Sequence, residues 1–429
     1  MNAVVGPAAL GPVPAERLLD HIQPGTDVIA PILAGEPESL VDALEAGNER
    51  LSHVRIHKMD PYRDRAYIRG QFRDRLRHVD YYLGPGSRQA YWDRACDLVP
   101  NHFSEMPRLL RENTGNRIVI AGASLPDKHG YFSLGTNADY CAAFIGEAPF
   151  FLEANHQMPR THGLNQIHIS QVAGWTEVNR PLYERHNMGD DPRDRAIAEH
   201  IVDRIPDGAC VQFGIGKTPD KVAELLCGHC GLGVHTEVFS DGLMRLVRSG
   251  AATGEGKRQQ RGKHVTTFCL GSRELYDWLD DNPAVMLMPV DLTNDPRRIA
   301  EERNVVSINA TTEVDLMGQA ASETIAGRYW SSSGGQTDFA RGAMYSEGGQ
   351  AFLVTHAATS AGRSRIRVQL TPGSVVTTLK NTVDHVVTEH GVARLRGKSL
   401  RERAKALIAI AAPEHREELT RGAEAAGLM

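Results

Sequence analysis

The sequence is short of several things, and each shortage narrows its function. No run of about 18 apolar residues occurs, so no transmembrane helix is expected. There is no basic excess: 48 Lys and Arg stand against 53 Asp and Glu, which argues against a dedicated nucleic-acid binder. Residues Met1 to Ala15 lack a basic stretch ahead of their apolar residues, so no secretory signal is expected. Cysteine is sparse. Most of Cys96, Cys141, Cys210, Cys227, Cys230 and Cys269 are scattered in apolar runs, as thiols of a reducing compartment would be, and the expected location is cytoplasmic. Short repeats and low-complexity blocks are absent as well.

What is present is a steady supply of apolar residues over 429 positions, enough for two or three domains of ~100–200 residues each. Short apolar runs alternate with longer amphipathic segments. Arg117 to Gly122, Ala209 to Gly214, Val285 to Pro289, Asn304 to Asn309 and Ala351 to Thr355 read as buried strands. Pro37 to Ala46, Pro219 to Leu226 and Glu274 to Leu279 read as helices, and Ser399 to Leu419 as an amphipathic helix broken at Pro413. Strand and helix in alternation give an α/β architecture. The polar stretch Glu184 to Arg195 is the expected boundary, dividing the chain into domains 1–190 and 191–429.

Several familiar motifs fail. Gly216-Lys-Thr218 suggests a phosphate loop, but Val211 stands where that motif needs its first glycine. His53 and His57 lack the Glu of a zinc protease helix, and Gly122-Ala-Ser124-Leu-Pro126 lacks the closing glycine of a nucleophile elbow. Cys227-Gly-His-Cys230 has no second pair at zinc-ribbon spacing, and no metal site is expected.

Other strings have positive content. Gly214-Ile-Gly216-Lys-Thr218-Pro219 reads as strand, glycine turn and helix start, with Thr218 as N-cap. Such a turn offers free N–H groups and a positive dipole end to an anion or carbonyl oxygen. Val234 to Phe239 reads as a strand carrying Glu237, a carboxylate able to act as base or nucleophile. Glu389, before Gly391 at the end of another apolar run, is an equal rival on composition. Ser331 to Phe339 reads as a small-residue loop in which Gly334, Gly335 and Gln336 could approach a ligand closely. Arg363 and Arg365 could meet phosphates or face solvent.

Taken together the strings resemble the acetyl-CoA hydrolase/transferase family of class I coenzyme A transferases, nearest the 4-hydroxybutyrate and butyryl-CoA:acetate CoA-transferase branch. The resemblance is carried by Met158-Pro-Arg-Thr-His-Gly163, Phe213-Gly-Ile-Gly216, His235-Thr-Glu-Val-Phe-Ser-Asp-Gly242 and Leu275-Tyr-Asp-Trp-Leu-Asp280. It continues through Ser307-Ile-Asn309, Glu313 to Gln319, Gly334 to Gly342 and Val386 to Gly391.

The resemblance implies two similar open α/β domains with the active site at their interface. It implies Glu237, rather than Glu389, as catalytic nucleophile. Gly214, Ile215, Gly216 and Gln336 are implied at the substrate and its oxyanion. Gly334, Gly335, Gln336, Phe339 and Arg363 are implied in CoA binding. The implied reaction moves CoA between a short-chain acyl-CoA and a carboxylic acid, by ping-pong covalent catalysis through a glutamyl-CoA thioester. It uses no cofactor, since the CoA thioester is itself a substrate. Acyl-CoA hydrolysis by the same Glu, or a non-catalytic acyl-CoA sensor, is the alternative. The implied partners are acyl-CoA and carboxylic acids, without nucleic acid or membrane, in a homodimer or dimer of dimers. One departure stands out: Thr355-His356-Ala-Ala-Thr359 replaces the family's Leu-Pro-Ser-Thr-Ala. The chemistry further asks that the carboxylate be ionised, because an unpaired carboxylate in an apolar pocket has a raised pKa.

Overall fold

Apolar runs too short for helices, closed by glycine or polar residues, dictate the strands of two separate sheets. The computed structural model describes residues 11–185, 189 and 191–429. Asp190, at the expected boundary, and the first ten residues of the Met1 to Ala15 stretch lie outside the described residues. By contacts the chain divides into two units, one of residues 1–185 with 265–292, the other of 186–264 with 293–429. The sequence reading drew a single boundary. It had no means of assigning 265–292, whose strand Val285–Leu287 pairs with His162–Gly163 of the first unit.

The first unit is built on seven parallel strands: β1 (Asp27–Ile29), β2 (Val54–Lys58), β3 (Leu76–Asp80), β4 (Asp97–Leu98), β5 (Arg117–Ala123), β6 (Phe150–Asn155) and β7 (Val172–Val178). Their order is β7-β6-β5-β1-β2-β3-β4. Helix α1 (Glu38–Ala46) packs Leu40, Val41 and Leu44 onto Val28, Ile56 and Ile120 of the sheet. Parallel strands covered on both faces need continuous apolar sequence, and β6 is buried at all six residues.

In the second unit, helix α2 (Pro192–Val202) precedes β8 (Cys210–Phe213), α3 (Lys217–Leu225), β9 (Gly233–Val234) and α4 (Asp241–Arg248). Then follow β10 (Val305–Ala310), β11 (Glu313–Asp315), β12 (Ala320–Ala321), α5 (Gln336–Tyr345), β13 (Gln350–Val354), β14 (Ile366–Arg367), β15 (His385–Thr388) and β16 (Gly391–Arg394). Helices Leu400–Ala409 and Arg416–Ala425 close the chain, separated at Pro413 as the sequence suggests. The main sheet runs β9-β8-β10-β13-β15-β16, parallel except for its last pair. A smaller sheet runs β12-β11-β14. From β8 the chain goes to β9 on one side, while β10 lies on the other, so the strand order reverses there. In open α/β sheets a crevice forms beyond the carboxyl ends of the strands at such a point.

Among the described residues no helix is long and apolar enough to cross a membrane.

Candidate active site

Glu237 follows β9 at that reversal. The expected continuous strand 234–239 is broken: β9 ends at Val234, and Val238–Phe239 is a separate strand outside the main sheet. Polar side chains hold the break. The Thr236 hydroxyl lies 3.3 Å from the Phe213 carbonyl and 3.1 Å from that of Val238. His235 Nε2 donates to the Thr293 carbonyl over 2.7 Å. Burial, and the charge of Lys257 nearby, push the His235 pKa down to about 3, so the ring is neutral. Its role is to fix the segment that delivers Asn294.

Asn294 is fully buried, and its Nδ2 donates to Glu237 Oε2 at 2.7 Å. A second donor to the Glu237 carboxylate is the N–H of Gly335, which caps the N-terminus of α5. The carboxylate therefore sits at the positive end of a ten-residue helix. Gly334 has φ +54°, which glycine adopts without strain. Gly335 is required for space, since a Cβ there would overlap Glu237 Oε2 and Asn294 Nδ2. Both donors favour the ionised carboxylate, but burial outweighs them and pushes its pKa up to about 7.

Gly214 lies one residue beyond the end of β8. Its N–H donates to the Ile308 carbonyl at 2.8 Å, and so is not available to a ligand. A Cβ on Gly214 would come within 2.7 Å of Asn309 Oδ1. Asn309 is part of a buried network with Gln212 and Ser307 that stiffens the carboxyl ends of β8 and β10. Among the described residues the N–H groups of Ile215 and Gly216 make no backbone hydrogen bond, and the Ile215 side chain is exposed. Thr218 is not the N-cap; Gly216 is. The Thr218 hydroxyl donates instead to Asp194 Oδ1, which also bonds His356 Nε2 at 2.9 Å. This pair ties the glycine turn to the loop after β13. Asp191 lies close to both, but Arg193 already engages its two oxygens.

Other expected residues are placed differently. The 331–339 loop ends at Gly335, so Gln336 and Phe339 are helical. The Gln336 side chain donates to Thr378 Oγ1 at 3.0 Å, anchoring α5. Phe339 is 1% exposed, packed in a core with Cys210, Ile299 and Val305, and offers no surface to CoA. It projects from the inner face of the helix whose first turn meets Glu237. Arg363 is exposed and belongs to a separate recess. Glu389 accepts the Ala357 N–H and is not part of the Glu237 group. Sequence reasoning missed Asn294 altogether. No local signal marks it, because its partner is 57 residues away.

The fold and this edge define an α/β enzyme that presents a carboxylate at a helix N-terminus. Comparison with known proteins agrees. Residues 13–205 match the acetyl-CoA hydrolase/transferase N-terminal domain and 271–423 the C-terminal domain of that family. The succinyl-CoA:cyclohexane-1-carboxylate CoA transferase of Geobacter metallireducens is 40% identical over 94% of this chain and 92% of its own. The 4-hydroxybutyrate coenzyme A transferase of Clostridium kluyveri is 39% identical over 95% and 96%. The crystal structure of RipA from Yersinia pestis superimposes with a TM-score of 0.92 at 35% identity, covering 97% of this chain and 98% of that one. The chain belongs to the acetyl-CoA hydrolase/transferase family and is an enzyme of the CoA-transferase class.

Proposed function

We propose that the protein moves CoA between a short-chain acyl-CoA and a carboxylic acid through a covalent intermediate on Glu237. The observation that carries this reading is the pair of donors on the Glu237 carboxylate, Asn294 Nδ2 on Oε2 and the Gly335 N–H. In the first step the Glu237 carboxylate attacks the thioester carbonyl. The C–S bond breaks, leaving a mixed anhydride and CoA thiolate. The thiolate then adds to the glutamyl carbonyl, and the donor acid leaves as its carboxylate, giving a glutamyl-CoA thioester. An acceptor carboxylate reverses both steps and carries CoA away.

Each addition puts negative charge on a carbonyl oxygen. When the thiolate adds to the glutamyl carbonyl, Asn294 is already aimed at Oε2 and the Gly335 N–H at the same carboxyl group. Fixed donors of this kind are worth ~3 kcal/mol each. The unengaged N–H groups of Ile215 and Gly216 suit the oxyanion of the acyl-CoA carbonyl. The chemistry needs no metal or redox cofactor. Two named relatives act on succinyl-CoA with cyclohexane-1-carboxylate and on 4-hydroxybutyrate, which supports carboxylic acids as the substrate class here. The proposal extends to a homodimer or dimer of dimers acting in the cytoplasm.

Incubation with short acyl-CoAs and no acceptor, trapping with borohydride or hydroxylamine, and mass spectrometry test the reading. Modification of Glu237 alone is expected, and CoA should then pass to an added acid. Acyl-CoA consumption that needs no acceptor would mean hydrolysis through the same residue. Intact acyl-CoA with an unmodified protein would overturn both.

A further inference from the structure

Three features of the sequence take no part in the proposed reaction: Glu389, Thr218, and His356 in place of the family's proline. In the second unit they lie along one line of hydrogen bonds.

At one end of the line, the loop after β13 is pinned on both sides of residue 356. The Thr355 N–H donates to the Val387 carbonyl of β15 at 3.1 Å, and the Ala357 N–H donates to Glu389 Oε2 at 2.8 Å. Glu389 follows β15 directly, so the main sheet holds the backbone of His356 in place. A proline here has no donor to offer. The histidine does, and its Nε2 lies 2.9 Å from Asp194 Oδ1. Asp194 sits in the first turn of α2 and is buried. The same oxygen accepts the hydroxyl of Thr218, in the first turn of α3. Asp194 Oδ2 is buried without a hydrogen-bond partner, so the carboxylate depends on these two side-chain donors.

The other end of the line is the glycine turn. The Gly214 N–H donates to the Ile308 carbonyl at 2.8 Å. The turn is therefore pinned at Gly214 by β10 and at Thr218 by Asp194. Between the pins lie Ile215 and Gly216, whose N–H groups make no backbone hydrogen bond. Gly216 has φ +155°, a region open to glycine and rarely to other residues, so its own backbone resists rotation weakly. The pins, rather than the two residues themselves, set where those N–H groups point. Oxyanion donors act over ~2.7–3.1 Å, so a small drift of the turn removes their effect.

We infer that His356 is a positioning residue for the attack of Glu237 on acyl-CoA. Through Asp194 it holds Thr218, and so keeps the Ile215 and Gly216 N–H groups aimed at the acyl carbonyl. The inference rests on the CoA-transfer reading.

Two reactions of the same glutamate separate this role from a structural one. Formation of the glutamyl-CoA thioester from acyl-CoA puts charge first on the acyl carbonyl and then on the glutamyl carbonyl. Hydroxylamine attacks the preformed thioester to give the hydroxamate and free CoA, and puts charge on the glutamyl carbonyl alone, where Asn294 and Gly335 act. Rapid-quench mass spectrometry follows both reactions in the unaltered protein, H356A, H356Q and T218V. In H356A and T218V, formation at saturating acyl-CoA should slow by about tenfold to 100-fold, the upper figure being the worth of a ~1 Å misplacement. The hydroxylamine reaction and the KM for acyl-CoA should stay as they are. H356Q keeps an N–H donor at the place of Nε2 and should recover most of the rate. H356A combined with T218V should be no slower than T218V alone, since both act through Asp194. T218V, nearly unchanged in shape, decides the point if H356A does not fold. Full-rate formation in H356A and T218V, equal slowing of both reactions, or a loss of acyl-CoA affinity alone would overturn the inference. An unaltered protein that never carries CoA on Glu237 would instead overturn the CoA-transfer reading.

Discussion

Asn294 Nδ2 lies 2.7 Å from Glu237 Oε2, and the two residues meet across 57 positions of sequence. The bond fixes which oxygen of the carboxylate is held and leaves the addition of a thiolate to the glutamyl carbon to be stabilised without reorganisation.

Asn294→Ala removes one of two donors. The expected loss is about 100-fold in kcat, with little change in KM for acyl-CoA, because the donor acts on charge that develops during reaction. A fall in KM-limited affinity with kcat intact would show that Asn294 serves binding alone. Steady-state kinetics on the folded variant decides.

The pH dependence has a definite sign. Burial raises the Glu237 pKa to about 7, and only the ionised form is a nucleophile. kcat/KM should therefore rise about tenfold per pH unit below that value and level off above it. Asn294 lowers this pKa, so Asn294→Ala should move the inflection upward. A rate–pH profile flat from acid to neutral would contradict the assignment.

Gly335→Ala tests space rather than backbone freedom. Gly335 has φ −94°, which alanine adopts readily, but its methyl group would overlap Glu237 and Asn294. A destabilisation of about 1–3 kcal/mol and near-complete loss of turnover are expected. Thermal melts and activity should fall together here, in contrast to Asn294→Ala.

Phe339→Ala separates core from ligand contact. Phe339 is buried against Ile299 and Val305, so the substitution should cost about 3–5 kcal/mol of stability. At a temperature where the variant is folded, its affinity for CoA should match that of the parent protein. A selective loss of CoA affinity would return Phe339 to the binding surface.

Much of the main sheet was legible in the sequence. The runs at 209–214, 304–309 and 351–355 became β8, β10 and β13 because fully buried parallel strands require unbroken apolar sequence. The break at His235 to Glu237 was not legible, since Val234, Val238 and Phe239 alternate well enough for one strand. What interrupts them is a set of bonds to Phe213 and Thr293, remote in sequence. Residue composition alone left Glu237 and Glu389 equal, and family resemblance separated them. Phe339 was misjudged because nothing in a glycine-rich string marks where the helix begins, and the helix turns that ring inward.

The return of residues 265–292 to the first unit has a consequence for how the protein is made. On the ribosome the first unit cannot be completed when residue 185 emerges; it waits for a further 107 residues (186–292). At about 5–20 residues per second that is a delay of roughly 5–20 s. During it β8 is already out, while its partner β10 begins only at Val305. A gene cut at residue 190 would therefore yield two fragments that each lack part of a unit, and neither should fold without the other.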